Sequence, residues 1–313
     1  MGYKMSKHVL VIGASLMDTK GKPLAGLEPK TSNPGIIRQS RGGTARNVAE
    51  NLGRLGADVI LISAIGPDRS GRTLLETTLE AGVNTDYMIT SERHRSGSYI
   101  ALLNPDGSLS VALDDTEVMD QVTAQYLYQH RRLFRDAEML MVDGSLSEEA
   151  LAMALKLGQQ YGVPVCADPS SARLAYKLCP YLSQLTLVVP NEVEAAALCG
   201  VEFVGFDPES SIQVARQLVG VGVQNVGVTL SDFGLAYATA AESGYLPPRY
   251  NQMVDSTGTG DAITAAIMFA LLNDLETIEA MRLGAAAAGL TLQTEETVVP
   301  DLSLDMLYNH LTV

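Results

Sequence analysis

The sequence predicts an α/β domain of three layers, a mainly parallel sheet with helices on both faces. Short apolar runs alternate with helix-period segments along most of the chain. Those runs are apolar on both faces, as strands covered by helices on each side must be. Hydrophobic residues form 46% and charged residues 19% of the 313, which supplies a sizeable core and excludes a disordered chain.

The first strand is predicted over 8–15, where His8-Val9-Leu10-Val11-Ile12 is apolar. It is short and runs into Met17-Asp18, so it reads as a buried strand and not as a secretion signal. A Gly/Pro/Lys-rich stretch over 19–41 then breaks the rhythm. In the helix predicted over 44–55, Ala45, Val48, Ala49, Leu52 and Leu55 trace one face. A strand over 58–65 and a helix over 71–81 follow. Two β-type runs, 97–103 and 109–114, flank the turn Asn104-Pro105-Asp106-Gly107, a hairpin signal. The alternation resumes with a helix over 123–136, strand 138–144, helix 147–161, strands 164–168 and 185–190, helices 192–198 and 210–219, and strand 225–230. A helix over 262–273 closes the series. The expectation is one domain over 1–313, with a small β-element built from about 19–41 and 97–115. That element is either a lid over a site or an ornament on the sheet edge.

Acidic residues outnumber basic ones 36 to 22, giving a formal net charge of −14 and a pI near 4.7. A field of that sign opposes nucleic acid polymers and anionic membrane surfaces. It leaves room for a small anion in a local site. Cys166, Cys179 and Cys199 show no CxxC spacing, which argues against a disulfide framework or structural zinc and fits a reducing cytoplasm. The apolar stretch 262–272 is too short for a bilayer span, which needs about 20 residues.

Two segments point to chemistry. In Asp255-Ser256-Thr257-Gly258-Thr259-Gly260-Asp261, the glycines leave backbone amides open to a ligand at a helix N-terminus, where the dipole favours anions. Asp261 in that turn is placed to accept a hydroxyl proton while amides hold developing charge, the parts phosphoryl transfer requires. A glycine turn whose Asp merely starts the helix fits the same letters. In Arg41-Gly42-Gly43-Thr44-Ala45-Arg46-Asn47, the paired glycines again precede a helix, and Asn47 offers both a donor and an acceptor to a polyol. A helix-entry loop with a local Asn cap is the alternative.

Gly42-Gly43 with Asn47, Gly56 and Gly66, followed by Asp255 to Asp261 with Ala265 and Ala266, resembles the two signatures of the PfkB carbohydrate kinases in their order. The resemblance spans nearly the whole chain and implies the ribokinase-like fold. It implies that Asp261 is the base deprotonating the acceptor hydroxyl, and that Gly258, Thr259 and Gly260 form the anion hole. Asp18, Gly42, Gly43 and Asn47 match sugar contacts. Asn191 and Glu194 match an Asn-x-x-Glu motif tied to Mg²⁺ and phosphate placement. Thr229, Ser231 and Gly234 match a loop on the nucleotide phosphates, and Asp255 a monovalent-cation site. ATP and Mg²⁺ are the implied cofactors, with K⁺ in addition. The implied partner is a sugar or nucleoside, and the implied assembly is a homodimer through the lid.

Some positions depart from the family pattern. Thr259 stands for the usual Ala, Ser231 for a Gly, and Leu16 for an Asn. No Lys stands in the nucleotide loop, so charge neutralisation falls to Mg²⁺, amides and Arg173. Local stretches such as 31–35, 98–103, 122–127 and 147–151 resemble pseudouridine kinases within the family. Leu16 and Leu174 depart from that group, and ribose-like or fructose-like acceptors stay open. An NAD-dependent dehydrogenase lacks its GxGxxG after the first strand, where Gly13-Ala14-Ser15-Leu16 stands, and no GxxxxGK[ST] occurs. A regulator that binds sugar or nucleotide without catalysis is the alternative from another class, although it has no need of a base such as Asp261.

Overall fold

The computed structural model describes residues 7–106, 108–205, 207–232, 234–250 and 252–311. Gly107 of the hairpin turn, Phe233 of the nucleotide loop and the two ends of the expected domain, 1–6 and 312–313, lie outside the described residues.

The strands are β1 His8–Ile12, β2 Leu16–Pro23, β3 Gly35–Gly42, β4 Val59–Ile62, β5 Ala64–Ile65, β6 Ile89–Thr90, β7 Gly97–Leu103, β8 Leu109–Asp115, β9 Ala137–Asp143, β10 Val165–Asp168, β11 Leu187–Val188, β12 Asn225–Thr229, β13 Leu235–Thr239 and β14 Ser243–Leu246. The α-helices are α1 Thr44–Arg54, α2 Arg69–Glu80, α3 Ala124–Gln129, α4 Arg131–Asp136, α5 Glu148–Tyr161, α6 Glu192–Cys199, α7 Pro208–Gly220, α8 Thr259–Leu272, α9 Thr277–Thr291 and α10 Leu304–Leu311.

An eight-stranded sheet runs β14-β13-β12-β11-β10-β9-β1-β4. Its strands pair in parallel from β4 to β12, and only β13 and β14 join antiparallel. The alternation of side chains divides the core. Leu10, Ile12, Leu140 and Val142 pack on the face covered by α3 to α7, whereas Val9, Val11, Met139 and Met141 face α1, α8, α9 and α10. All five side chains of β1 are buried, so its sequence is apolar without alternation.

A second sheet, β3-β2-β7-β8, takes β2 and β3 from between β1 and α1, and β7 and β8 from the segment after β6. β2 pairs antiparallel with β3 and parallel with β7, and β7 pairs antiparallel with β8. It takes in most of 19–41 and 97–115, but β2 starts earlier, at Leu16, because Leu16 pairs with Gly97 and Gly42. Asp18 therefore sits inside the small sheet and not at the tip of β1.

Several sequence-based boundaries shift for local reasons. The helix expected over 123–136 breaks at His130. Its amide bonds both Tyr126 and Leu127 carbonyls, while its ring packs 4.3 Å from Tyr126 and 5.4 Å from Tyr87. The strand expected over 185–190 pairs only at Leu187 and Val188, and Pro190, having no N–H, cannot prolong the ladder. The helix expected from 262 begins at Thr259, because Gly258 takes φ +81° as its N-cap. Gly260 and Asp261 thus lie in the first helical turn.

Candidate active site

A cavity of about 1390 Å³ opens between the small sheet and the C-terminal ends of the parallel strands. In open α/β sheets that edge is where ligands bind. Asp18, Lys20, Gly43, Asn47, Arg173, Asp255 and Asp261 all line it. Leu16, Asp18 and Lys20 recur at every second residue of β2, so one face of the small sheet forms a wall of the cavity.

Asp261 lies in the first turn of α8, where Gly258 allows the chain to turn sharply. A side chain at Gly258 would also strike the carbonyl of Thr297. The Thr259 amide donates to the Ser256 carbonyl over 3.3 Å, and the Thr259 hydroxyl is buried without a partner among the described residues. The amides of Gly260 and Asp261 form no hydrogen bond among the described residues, and nothing stands where a side chain on Gly260 would project. The Gly258 amide likewise forms no hydrogen bond among the described residues, so within the 258–260 set expected from the sequence only the Thr259 amide is engaged, and the Asp261 amide stands open beside the other two.

Burial pushes the Asp261 carboxyl up to about 7, against a hydrogen bond from Asn47 and the charge of Arg46, with Asp18 and Asp143 raising it further. Asn47 Nδ2 donates to Asp261 Oδ2 over 2.6 Å. Asn47 is oriented by its neighbour Arg46, whose Nη2 donates to Asn47 Oδ1. Arg46 is fully buried. It also donates to the Gly42 carbonyl over 2.9 Å and the Arg41 carbonyl over 3.0 Å, and pairs with Glu50. This network is the part of the site that sequence reasoning missed, although an Arg and a Glu at i,i+4 on the core-facing side of α1 was its visible sign.

Asp18 is buried, and its carboxyl is pushed up to about 6 by burial, partly offset by Lys20 and Arg46. A side chain on Gly42 would collide with that carboxyl, and one on Gly43, at φ +95°, with the Ala14 carbonyl. The glycine pair thus gives Asp18 room and lets two backbone segments touch. Asp143, at the end of β9, was also missed. It accepts from the amides of Ala14 at 2.8 Å, Ala45 at 3.1 Å and Ser145 at 2.9 Å, pinning the start of α1 to the sheet.

The expected nucleotide residues gather elsewhere, at the ends of β11 and β12, where Asn191 and Thr229 form a bridge. Asn191 and Glu194 form a capping box: each side chain accepts the other's backbone amide over 2.9 Å. The Ser231 amide donates to Glu192 Oε2 over 2.9 Å and the Gly234 amide to Asp232 Oδ1 over 2.9 Å. Both amides are thus engaged inside the loop that the resemblance ties to the nucleotide phosphates. Asp168, buried at the end of β10, feels the charges of Glu194 and Asp261, and burial with this crowding raises its carboxyl well above the usual range.

The Asp255 carboxylate accepts from Lys20 Nζ through both oxygens at 2.7 Å and from the Thr257 amide at 2.9 Å. These bonds hold it below the usual carboxylate range despite its burial. The carboxylate that the resemblance ties to a monovalent cation is thus paired with an ammonium group.

A parallel sheet with an acid and open amides at one helix start, facing a polar wall, has the architecture of the ribokinase-like small-molecule kinases. The ribokinase of Arabidopsis thaliana, solved with ribose and ATP, superposes with a TM-score of 0.82 over 99% of this chain and 100% of that one, at 22% identity. A carbohydrate kinase from Agrobacterium tumefaciens gives 0.81 over 98% and 97%, at 30% identity. The chain belongs to the pfkB family of carbohydrate kinases, whose family model matches residues 6–303. Pseudouridine kinase of Escherichia coli K12 is 33% identical to it over 298 residues, 95% of this chain and 94% of that protein. The chain is therefore a carbohydrate or nucleoside kinase, and its family implies ATP with Mg²⁺.

Proposed function

We propose that this kinase transfers the γ-phosphoryl group of Mg-ATP to a primary hydroxyl of a nucleoside or pentose, with pseudouridine as the favoured acceptor. The observation that carries the reading is the first turn of α8, where a carboxyl pushed up to about 7 stands beside open amides at a helix N-terminus. Such a group accepts a proton near neutral pH.

Asp18 and Asn47 hold the acceptor by its hydroxyls, with Gly42 and Gly43 leaving the space. As the acceptor oxygen attacks the γ-phosphorus, a new O–P bond forms and the bond to the β,γ-bridging oxygen breaks. The acceptor proton passes to an Asp261 oxygen, and ADP leaves. The amides at the start of α8, with Gly258 and Thr259 shaping the turn, stabilise charge on the phosphoryl oxygens. Asn191, Thr229, Ser231 and Gly234 border the nucleotide, and Arg173 adds positive charge at the cavity. The crowded carboxyls of Asp168 and Glu194, hard oxygen donors, are the residues that would hold Mg²⁺ near the phosphates. When bound, Mg²⁺ neutralises charge on the phosphates. The small sheet covers the cavity as a lid.

The favoured acceptor rests on similarity to a pseudouridine kinase and on Leu16, Tyr99 and Leu109, which give the cavity an apolar wall suited to a base. We assign the outer face of the lid to contact with a second copy of the chain. Ile37 of β3, Ile100 of β7 and Val111 and Leu113 of β8 are exposed on that face, an apolar patch that a soluble monomer rarely presents.

Incubation with Mg-ATP and pseudouridine, uridine, inosine, guanosine, ribose and fructose tests the reading. A phosphorylated product with pseudouridine turned over fastest is expected. A faster ribose or fructose reaction would reassign the acceptor, and no product from any acceptor would favour the silent regulator.

A further inference from the structure

Lys20 belongs to β2, two residues beyond Asp18 on the same face of the small sheet. Its ammonium reaches the loop before α8, where it meets both oxygens of Asp255 and the hydroxyl of Thr257. Three acceptor atoms thus face the three N–H bonds of the ammonium. The Thr257 amide and hydroxyl also turn onto Asp255 Oδ1, at 2.9 and 2.8 Å, so the network closes on itself. The Lys20 and Asp255 side chains are 16% and 22% exposed, so water screens the pair only in part. Thr257 directly precedes Gly258, the N-cap of α8, so whatever fixes Thr257 also fixes the amide turn.

A monovalent cation at Asp255 does not fit this arrangement, because its positive charge and its oxygen contacts are already supplied. We infer that the Lys20 ammonium is the built-in substitute for that cation, and that it ties the acceptor-binding strand to the phosphoryl-binding turn. The kinase then works without K⁺. This inference rests on the reading of residues 258–261 as the phosphoryl site. It adds a positioning residue to that site. A free ion orders the loop alone, whereas Lys20 orders it only when β2 lies over the cavity, so closing the lid and building the turn become one event.

The test compares wild type, Lys20→Ala and Lys20→Met in choline chloride and in KCl at equal ionic strength. The readouts are turnover of the best acceptor of the panel above and the thermal midpoint of the protein. Wild type should give the same turnover and midpoint in both salts. Lys20→Ala leaves room for an ion, so in choline chloride it should lose up to about 10²-fold in kcat, the scale of a misplaced reacting geometry. KCl should restore much of that loss and raise the midpoint. Lys20→Met fills the space without charge and should gain nothing from KCl. Wild-type turnover or midpoint that rises several-fold or by several degrees with K⁺ overturns the inference, as does a folded Lys20→Ala that ignores K⁺. The wild-type comparison decides even if the variants fail to fold. Absence of wild-type turnover in both salts would instead count against the proposed reaction, and the midpoints would still test the cation substitution.

Discussion

Asn47 donates a 2.6 Å hydrogen bond to Asp261 across 214 residues of chain, joining the helix after the glycine pair to the helix after the Gly258 turn. The bond favours the ionised carboxylate, and Arg46 holds Asn47 in place to make it. Replacing Asn47 by Ala should move the Asp261 titration to higher pH and lower kcat by about tenfold at neutral pH, on the scale of one misaligned group in proton transfer. The pH profile of kcat for the variant beside wild type checks this. An unchanged acidic limb would contradict it.

The position of Asp261 near 7 sets the pH dependence of the free enzyme. The base is active when ionised, so kcat/KM should fall as pH drops below about 7, by about tenfold per unit once one proton governs the limb. Asp18, near 6, steepens the fall at lower pH. Stability runs in the opposite sense. Because the folded carboxyl binds its proton more tightly than the unfolded one, near 4, its stabilising contribution is present in acid and is lost as pH rises from about 4 to 7. Asp261→Asn should therefore gain thermal stability relative to wild type on going from pH 5 to pH 8.

Arg46 is the largest fully buried side chain and shares its charge with Glu50. Among the described residues, Arg46→Met leaves Glu50 with the more exposed Arg54 as its cation. Because Arg54 still pairs with Glu50, a loss of about 1–3 kcal/mol in unfolding free energy is expected, the range for buried hydrogen-bonding groups left without a partner. Urea denaturation measures it, and the double variant with Glu50→Gln should lose less than the single one.

The outer face of the lid predicts its own phenotype. Ile100→Asp with Leu113→Asp places charges on adjoining strands of the apolar patch. Light scattering should then report a monomer where wild type gives a dimer. A monomeric wild type would remove the assignment of this face.

Much of this architecture was legible in the letters. β1, β10 and residues 139–143 of β9 are buried on both faces, so their runs appear as uninterrupted words, and α1 and α5 carry their apolar stripes at helical spacing. The two glycine segments marked the two helix starts that meet at Asp261. Other features depend on contacts far apart in sequence. Nothing in Asp18-Thr19-Lys20 announces that Lys20 will reach Asp255, 235 residues away. Asp143 and Asp168 look like strand ends until the fold brings amides and other acids to them. The bonds from the Ser231 amide to Glu192 and from the Gly234 amide to Asp232 likewise exist only in the folded loop.

The central claim is that Asp261 takes the acceptor proton, and single-turnover phosphoryl transfer in Asp261→Asn tests it most directly, with ATP affinity measured in parallel. The variant keeps the shape and a carbonyl acceptor for Asn47 but loses the base. The transfer rate should fall by at least about 10², with ATP binding nearly unchanged. Transfer at close to the wild-type rate would contradict the claim.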